Sequence, residues 1–95
     1  MSPRRLLRRL LVPLLLVAAC AQAPVQEMSD ARQAIQAARA VVQQPADRVQ
    51  LENAERNLRD AEAALEAGRY ADARRHAASA KVDALEVRAR AEAAR

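Results

Sequence analysis

The chain has no tryptophan and no phenylalanine, and its one aromatic residue is Tyr70. Without aromatic platforms there is nothing on which unstacked bases could lie, which removes one usual basis of single-stranded nucleic-acid binding. The single glycine, Gly68, leaves no glycine-rich loop to cradle a phosphate. The single cysteine, Cys20, excludes a disulfide within the chain. With one histidine, His76, and that one cysteine, no cluster has the spacing of a metal site. Long hydrophobic runs are missing too. The longest, Leu10 to Ala19, covers 10 residues and is interrupted by Pro13. That is half of the roughly 20 needed to cross a bilayer as a helix.

What is present at the amino terminus has a strict order. Arg4, Arg5, Arg8 and Arg9 come first with no acidic residue among them, then the short apolar run, then Val17-Ala18-Ala19-Cys20. A basic segment, a short apolar segment and small residues are the parts of a signal peptide. The cysteine after Ala19 makes the stretch resemble the lipobox of bacterial lipoproteins. In that motif the thiol is acylated and the chain is cut just before it. A thiol is the strongest nucleophile available for taking up a diacylglyceryl or palmitate-class acyl group. One chain holds a protein to a bilayer only marginally, and two or more hold it stably. The expected organisation is therefore a lipoprotein signal peptide over 1–19, an acylated Cys20 with a tether through 27, and a helical domain over 28–95, with cleavage between Ala19 and Cys20.

Cleavage there changes the charge balance. The whole chain carries 16 basic and 12 acidic residues, a formal charge of +4. Four arginines lie before the cut, so residues 20–95 hold 12 of each sign. The two signs are interspersed, and no basic run remains as an electrostatic footprint for nucleic acid.

The rest of the sequence is written for helix. Residues 20–95 contain 23 alanines, together with many Glu, Arg, Gln and Leu. Pro24, Pro45 and Gly68 divide them. A first helix is expected from Ser29, as N-cap, to Gln43, with Met28, Ala31, Ile35, Ala38 and Val42 on its apolar stripe. A second is expected from Pro45 to Ala67, with Leu51, Ala54, Leu58, Ala61 and Leu65 inward and outer pairs Glu52–Arg56 and Glu55–Arg59. Gly68 suits the left-handed residue that closes a helix. A third helix is expected from Tyr70 to Ala94. Its stripe is Tyr70, Ala73, Ala77, Ala80, Ala84, Val87, Ala91 and Ala94, widened by a shoulder of Ala78, Val82, Leu85 and Ala89. The 3-4 spacing marks helices packed along their length, and the short turn at Gly68 and Tyr70 makes the last two antiparallel. The predicted fold is all-α: an antiparallel helical hairpin with an additional N-terminal helix, either a small three-helix bundle or an elongated coiled-coil-like hairpin.

Ala61 to Ala73, with its leucine, Gly68, Tyr70 and following alanines, is similar to the helical-hairpin rhythm of tetratricopeptide-like repeats. It occurs once, whereas that architecture stacks several 34-residue units. Over nearly the whole of residues 20–95 the chain resembles a bacterial domain of unknown function found in short Ala-rich envelope lipoproteins. The resemblance rests on the lipobox, the alanine-rich first helix, the proline-led second and the Gly-x-Tyr hairpin. Elsewhere such domains precede an OmpA-like peptidoglycan-binding domain, which this sequence does not contain. Small lipoproteins joined to the cell wall through a terminal lysine are a second likeness. Here the residues are Ala93-Ala94-Arg95 and the only lysine, Lys81, lies within a helix, so that linkage is not expected.

The resemblance implies a cell-envelope lipoprotein, held through lipid on Cys20. Ala21 after the cysteine favours the outer membrane, facing the periplasm. The expected role is structural, as a scaffold, or in protein interaction, with an envelope protein or a second copy as partner. An open Ala-rich seam that captures a partner's helix is the alternative. No catalytic residue, metal, cofactor or small-molecule substrate is implied. His76 reads as a solvated rim side chain near Asp72 and Arg75, and Glu62 with Glu66 as a charged outer face.

Overall fold

The computed structural model describes residues 22–95. Among them there are three helices and no strand: α1 over Val25–Val41, α2 over Pro45–Glu66 and α3 over Tyr70–Ala93. At 1.5 Å per residue they are about 25, 33 and 36 Å long. Connections of three residues force α2 to run against both neighbours. Cross-helix pairs confirm the directions. Arg32 and Arg39 of α1 meet Glu62 and Glu55 of α2 in descending order, while Glu27 and Asp30 meet Arg74 and Lys81 of α3 in ascending order.

The third helix is the centre of the bundle. It packs extensively on α2 and on α1, whereas α1 and α2 touch each other much less. The reason lies in its inward residues. Ala73, Ala77, Ala80, Ala84 and Val87 have no exposed surface, and Ala91 is 7% exposed. Alanine lets a neighbouring helix approach almost to backbone contact. Among the described residues eleven of the fifteen buried Ala, Val, Ile, Leu and Met residues are alanines, and Met28, Ile35, Leu51 and Val87 are the larger ones that fill between them. Val42, Leu58 and Leu65 pack partly buried against this core.

The sequence reading of α2 and α3 agrees with the structure to within a residue at each end. Pro45 opens α2 where its missing N–H costs nothing, and Gln44 before it is extended (ψ 139°). Gly68 closes the same helix at φ +76°. The Arg69 N–H reaches the Ala64 carbonyl at 2.8 Å and the Gly68 N–H reaches Leu65 at 3.0 Å. These two bonds form a Schellman cap.

Two expectations are corrected. The first helix starts at Val25, not Ser29, and ends at Val41, short of Gln43. Ser29 caps nothing; it lies inside the helix, where its hydroxyl accepts from Gln33 Nε2 at 3.4 Å. Docking overrides the capping preference. Pro24 and Met28 are both buried, and the Met28 N–H bonds to the Pro24 carbonyl at 3.1 Å. Arg74 of α3 then holds the entering chain, donating to the Gln22 carbonyl and lying 3.7 Å from Glu27. The tether expected through residue 27 therefore becomes helical from Val25. At the far end, Val42 turns extended (ψ 132°) ahead of Pro45.

The second correction concerns the shoulder on α3. Ala78, Val82, Leu85 and Ala89 do not widen the buried face; all four are exposed. At 100° per residue they fall on the far side of the helix from the Ala73–Ala91 stripe.

Gly68 yields a direct prediction. Nothing lies within 4 Å of where its Cβ would be, so only the backbone conformation opposes a side chain. Gly68→Ala is expected to lower unfolding free energy by about 1 kcal/mol, and Gly68→Asn by less, in urea titrations followed by circular dichroism.

Candidate functional site

The sequence-predicted lipidation and cleavage residues, Cys20 and Ala19, lie outside the described residues. The other predicted site residues, Gly68 and Tyr70, sit at the α2–α3 turn. Gly68 provides the left-handed corner, and Tyr70 is the half-buried first residue of α3. The turn is a structural corner carrying the charged residues Arg69, Asp72 and Arg75. Asp72 accepts from Arg75 at 2.9 Å and lies 3.9 Å from Arg69. His76 is half-buried on α3. Glu62, one of the two outer carboxylates, is 3.5 Å from Arg32. Among the described residues no group of three or more His, Cys, Asp or Glu could hold a metal ion.

Two wide concave features are open to solvent. A depression of about 750 Å³ at the start of α1 is lined by Gln22, Ala23, Val25, Gln26, Glu27 and Arg74. A second, of about 510 Å³, runs beside α3 between Asn57, Arg75, Ala78, Ser79, Val82 and Asp83. Neither encloses convergent polar groups of the kind that fix a small ligand. The Ala-rich seam is not open. Its residues are covered by α1 and α2 of the same chain, so a partner helix using that seam would have to displace one of them.

The best-organised set of polar side chains is a ladder along the α2–α3 interface, which the sequence reading missed. Arg90 Nε donates to Asp47 at 2.9 Å, and its guanidinium also reaches Gln50 Oε1. Gln50 Nε2 donates to Glu86 at 2.8 Å. Asn53 and Asn57 both donate to Asp83, at 2.9 and 3.3 Å. Among the described residues Asp47 is the one buried charged residue, 7% exposed. It serves twice: in the first turn of α2 it faces the positive end of the helix dipole, and Arg90 neutralises it. Among the described residues no buried side-chain polar atom lacks a partner. The signal was legible in principle, because Asp47, Gln50, Asn53 and Asn57 flank one stripe and Asp83, Glu86 and Arg90 flank the other at matching spacings. The expected pairing within α2 did not find these contacts. Glu55 pairs instead with Arg39 across to α1 at 2.8 Å, and Arg56 reaches Asn53 at 3.4 Å.

Chemically, the ladder sets register. A slide of α3 by one turn that carried Arg90 past Gln50 would take it from Asp47 and leave that carboxylate buried without a counter-charge.

No family model matches the chain, and no curated protein or solved structure matches it. Among the described residues no helix is long and apolar enough to cross a membrane.

The Asp47–Arg90 rung is open to a double-mutant cycle. Asp47→Ala is expected to destabilise by about 1–2 kcal/mol, and the coupling to Arg90→Ala to be about 1 kcal/mol in chemical denaturation, because Arg90 is half exposed.

Proposed function

We propose that this chain is a membrane-anchored bacterial lipoprotein whose helical domain has a structural, scaffold or protein-interaction role in the cell envelope. The observation that carries the reading is the order of residues at the amino terminus. Four arginines, a short apolar run and Val17-Ala18-Ala19-Cys20 stand immediately ahead of a helical domain. Acyl chains on Cys20 would supply the attachment, and Ala21 favours the outer membrane facing the periplasm. The likeness to Ala-rich envelope lipoproteins agrees with both.

The structure supports the reading by the shortness of the connection. Four residues, 21–24, separate Cys20 from the first residue of α1. Gln22 is already held on the bundle by Arg74, and the two links from Cys20 to Gln22 span at most about 7 Å, so an acylated Cys20 would hold the bundle against the membrane surface. A neutral, ion-paired exterior suits a domain kept there by lipid and not by attraction to anionic headgroups.

The test is acyl labelling in a bacterial host with a palmitate analogue, followed by envelope fractionation. The native chain is expected to take up label and to sediment with outer membranes. Cys20→Ser is expected to take up none and to accumulate as the uncut 95-residue precursor. Labelling and processing of the Cys20→Ser chain to the native extent would remove the lipoprotein reading.

A further inference from the structure

Four large apolar residues of the described chain are notably exposed: Val25, Val49, Val82 and Leu85. The first two stand alone. Val82 and Leu85 are neighbours on the outer face of α3, 54% and 43% exposed, and exposed Ala78 and Ala89 continue the line above and below them. The spacing 78, 82, 85, 89 is the 4-3-4 rhythm of a second coiled-coil seam, on the side of α3 that neither α1 nor α2 covers. Its edge joins the open depression beside Asn57, Ser79 and Asp83.

The same rhythm extends to charged residues at both ends. One turn before Ala78 stands Arg75, 70% exposed and paired with Asp72 at 2.9 Å; one turn after Ala89 stands Glu92, 50% exposed and paired with Arg88 at 2.9 Å, each with exposed surface left for a second partner. We infer that this face binds a second copy of the chain, α3 against α3, antiparallel about a two-fold axis. In that register Val82 packs on the second copy's Leu85 and Ala78 on its Ala89, while Arg75 meets its Glu92. The axis repeats each contact, so every layer is apolar or oppositely charged, as a self-complementary isologous interface requires. A parallel pairing would set Arg75 against Arg75 and Glu92 against Glu92. Charge complementarity therefore fits a second copy of this chain and selects the antiparallel direction. Alanines at the outer layers allow the close approach that they allow on the inner face.

Two helices meeting over so few layers bury less than the roughly 1,200 Å² of a stable interface. The pair is accordingly weak and depends on high local concentration, which confinement to one membrane supplies. That last step rests on the lipoprotein reading; the pairing itself does not. In the antiparallel pair the two amino-terminal ends lie at opposite ends. Anchored copies would then lie along the membrane surface and not upright on it.

The experiment is site-specific photocross-linking of the full chain in intact envelopes, with p-benzoylphenylalanine replacing Val82 or, for comparison, the isolated Val49. Position 82 is expected to give a dimer of this chain and position 49 none. Arg75→Glu in the position-82 background sets like charges together at two places and is expected to cut the dimer about tenfold. Adding Glu92→Arg to the same chain restores opposite charges and is expected to restore the dimer. Helix content of the purified charge variants, by circular dichroism, is expected to be unchanged, which separates loss of pairing from loss of fold. Three results would overturn the inference: no dimer from position 82, adducts only with other proteins, or a dimer indifferent to both charge changes. Should the palmitate experiment show no acylation, the same cross-linking is read on the purified chain at high concentration, where position 82 is still expected to give the charge-dependent dimer and its absence would overturn the pairing by itself.

Discussion

Everything in this bundle depends on the close approach that alanine permits along α3. Ala73, Ala77, Ala80 and Ala84 are wholly buried, and the two other helices lie against them. Alanine loses no side-chain entropy on folding and is the strongest helix former. A seam built from it therefore costs little to order, though each contact removes little apolar surface from water. The larger side chains Met28, Ile35, Leu51 and Val87 supply the burial that alanine cannot. The centre of the molecule is thus one helix with two neighbours, in which α1 and α2 are joined mainly through α3.

A smooth alanine seam holds helices together without fixing how far one slides along the other. Register comes from the polar residues beside the seam. The ladder from Asp47 through Arg90, Gln50 and Glu86 to Asp83 ties α2 to α3. Arg74 ties the entering chain to the start of α3. These contacts are individually modest, since most are half exposed. Their value lies in agreeing on one alignment. In the proposed pairing the same logic applies on the outer face of α3, where Arg75 and Glu92 would give an apolar stripe a preferred direction.

Much of the architecture was legible in the residues. Pro45 and Gly68 act through local geometry, a fixed φ and a left-handed corner, so the limits of α2 and the start of α3 follow from them directly. The inward stripe of α3 was legible because its spacing is regular. The start of α1 was not. A serine followed by an aspartate reads as a cap, and what overrides it is the burial of Pro24 and Met28 against a helix distant in sequence. The outer stripe of α3 was seen as a shoulder of the core because alanine, small and apolar, serves either face. Only the positions of α1 and α2 decide which face is covered. The ladder was missed for a related reason: pairs within α2 can be read from one helix, while pairs between helices need the register first. The predicted lipidation site is a matter of a short motif and not of packing, and the bundle bears on it only through the four-residue connection to α1.

The central claim is that small size on the inner face of α3, and not apolar character alone, holds the bundle together. Thermal and urea unfolding of Ala80→Leu, beside Ala63→Leu on the exposed face of α2, tests it most directly. Added methylenes at the fully buried Ala80 have nowhere to go without separating the helices. A loss of about 1–3 kcal/mol is expected there, against a change within about 0.5 kcal/mol at position 63. Equal or greater stability of Ala80→Leu would contradict the account, because it would mean that the helices are held by apolar burial at a distance that leucine can also fill.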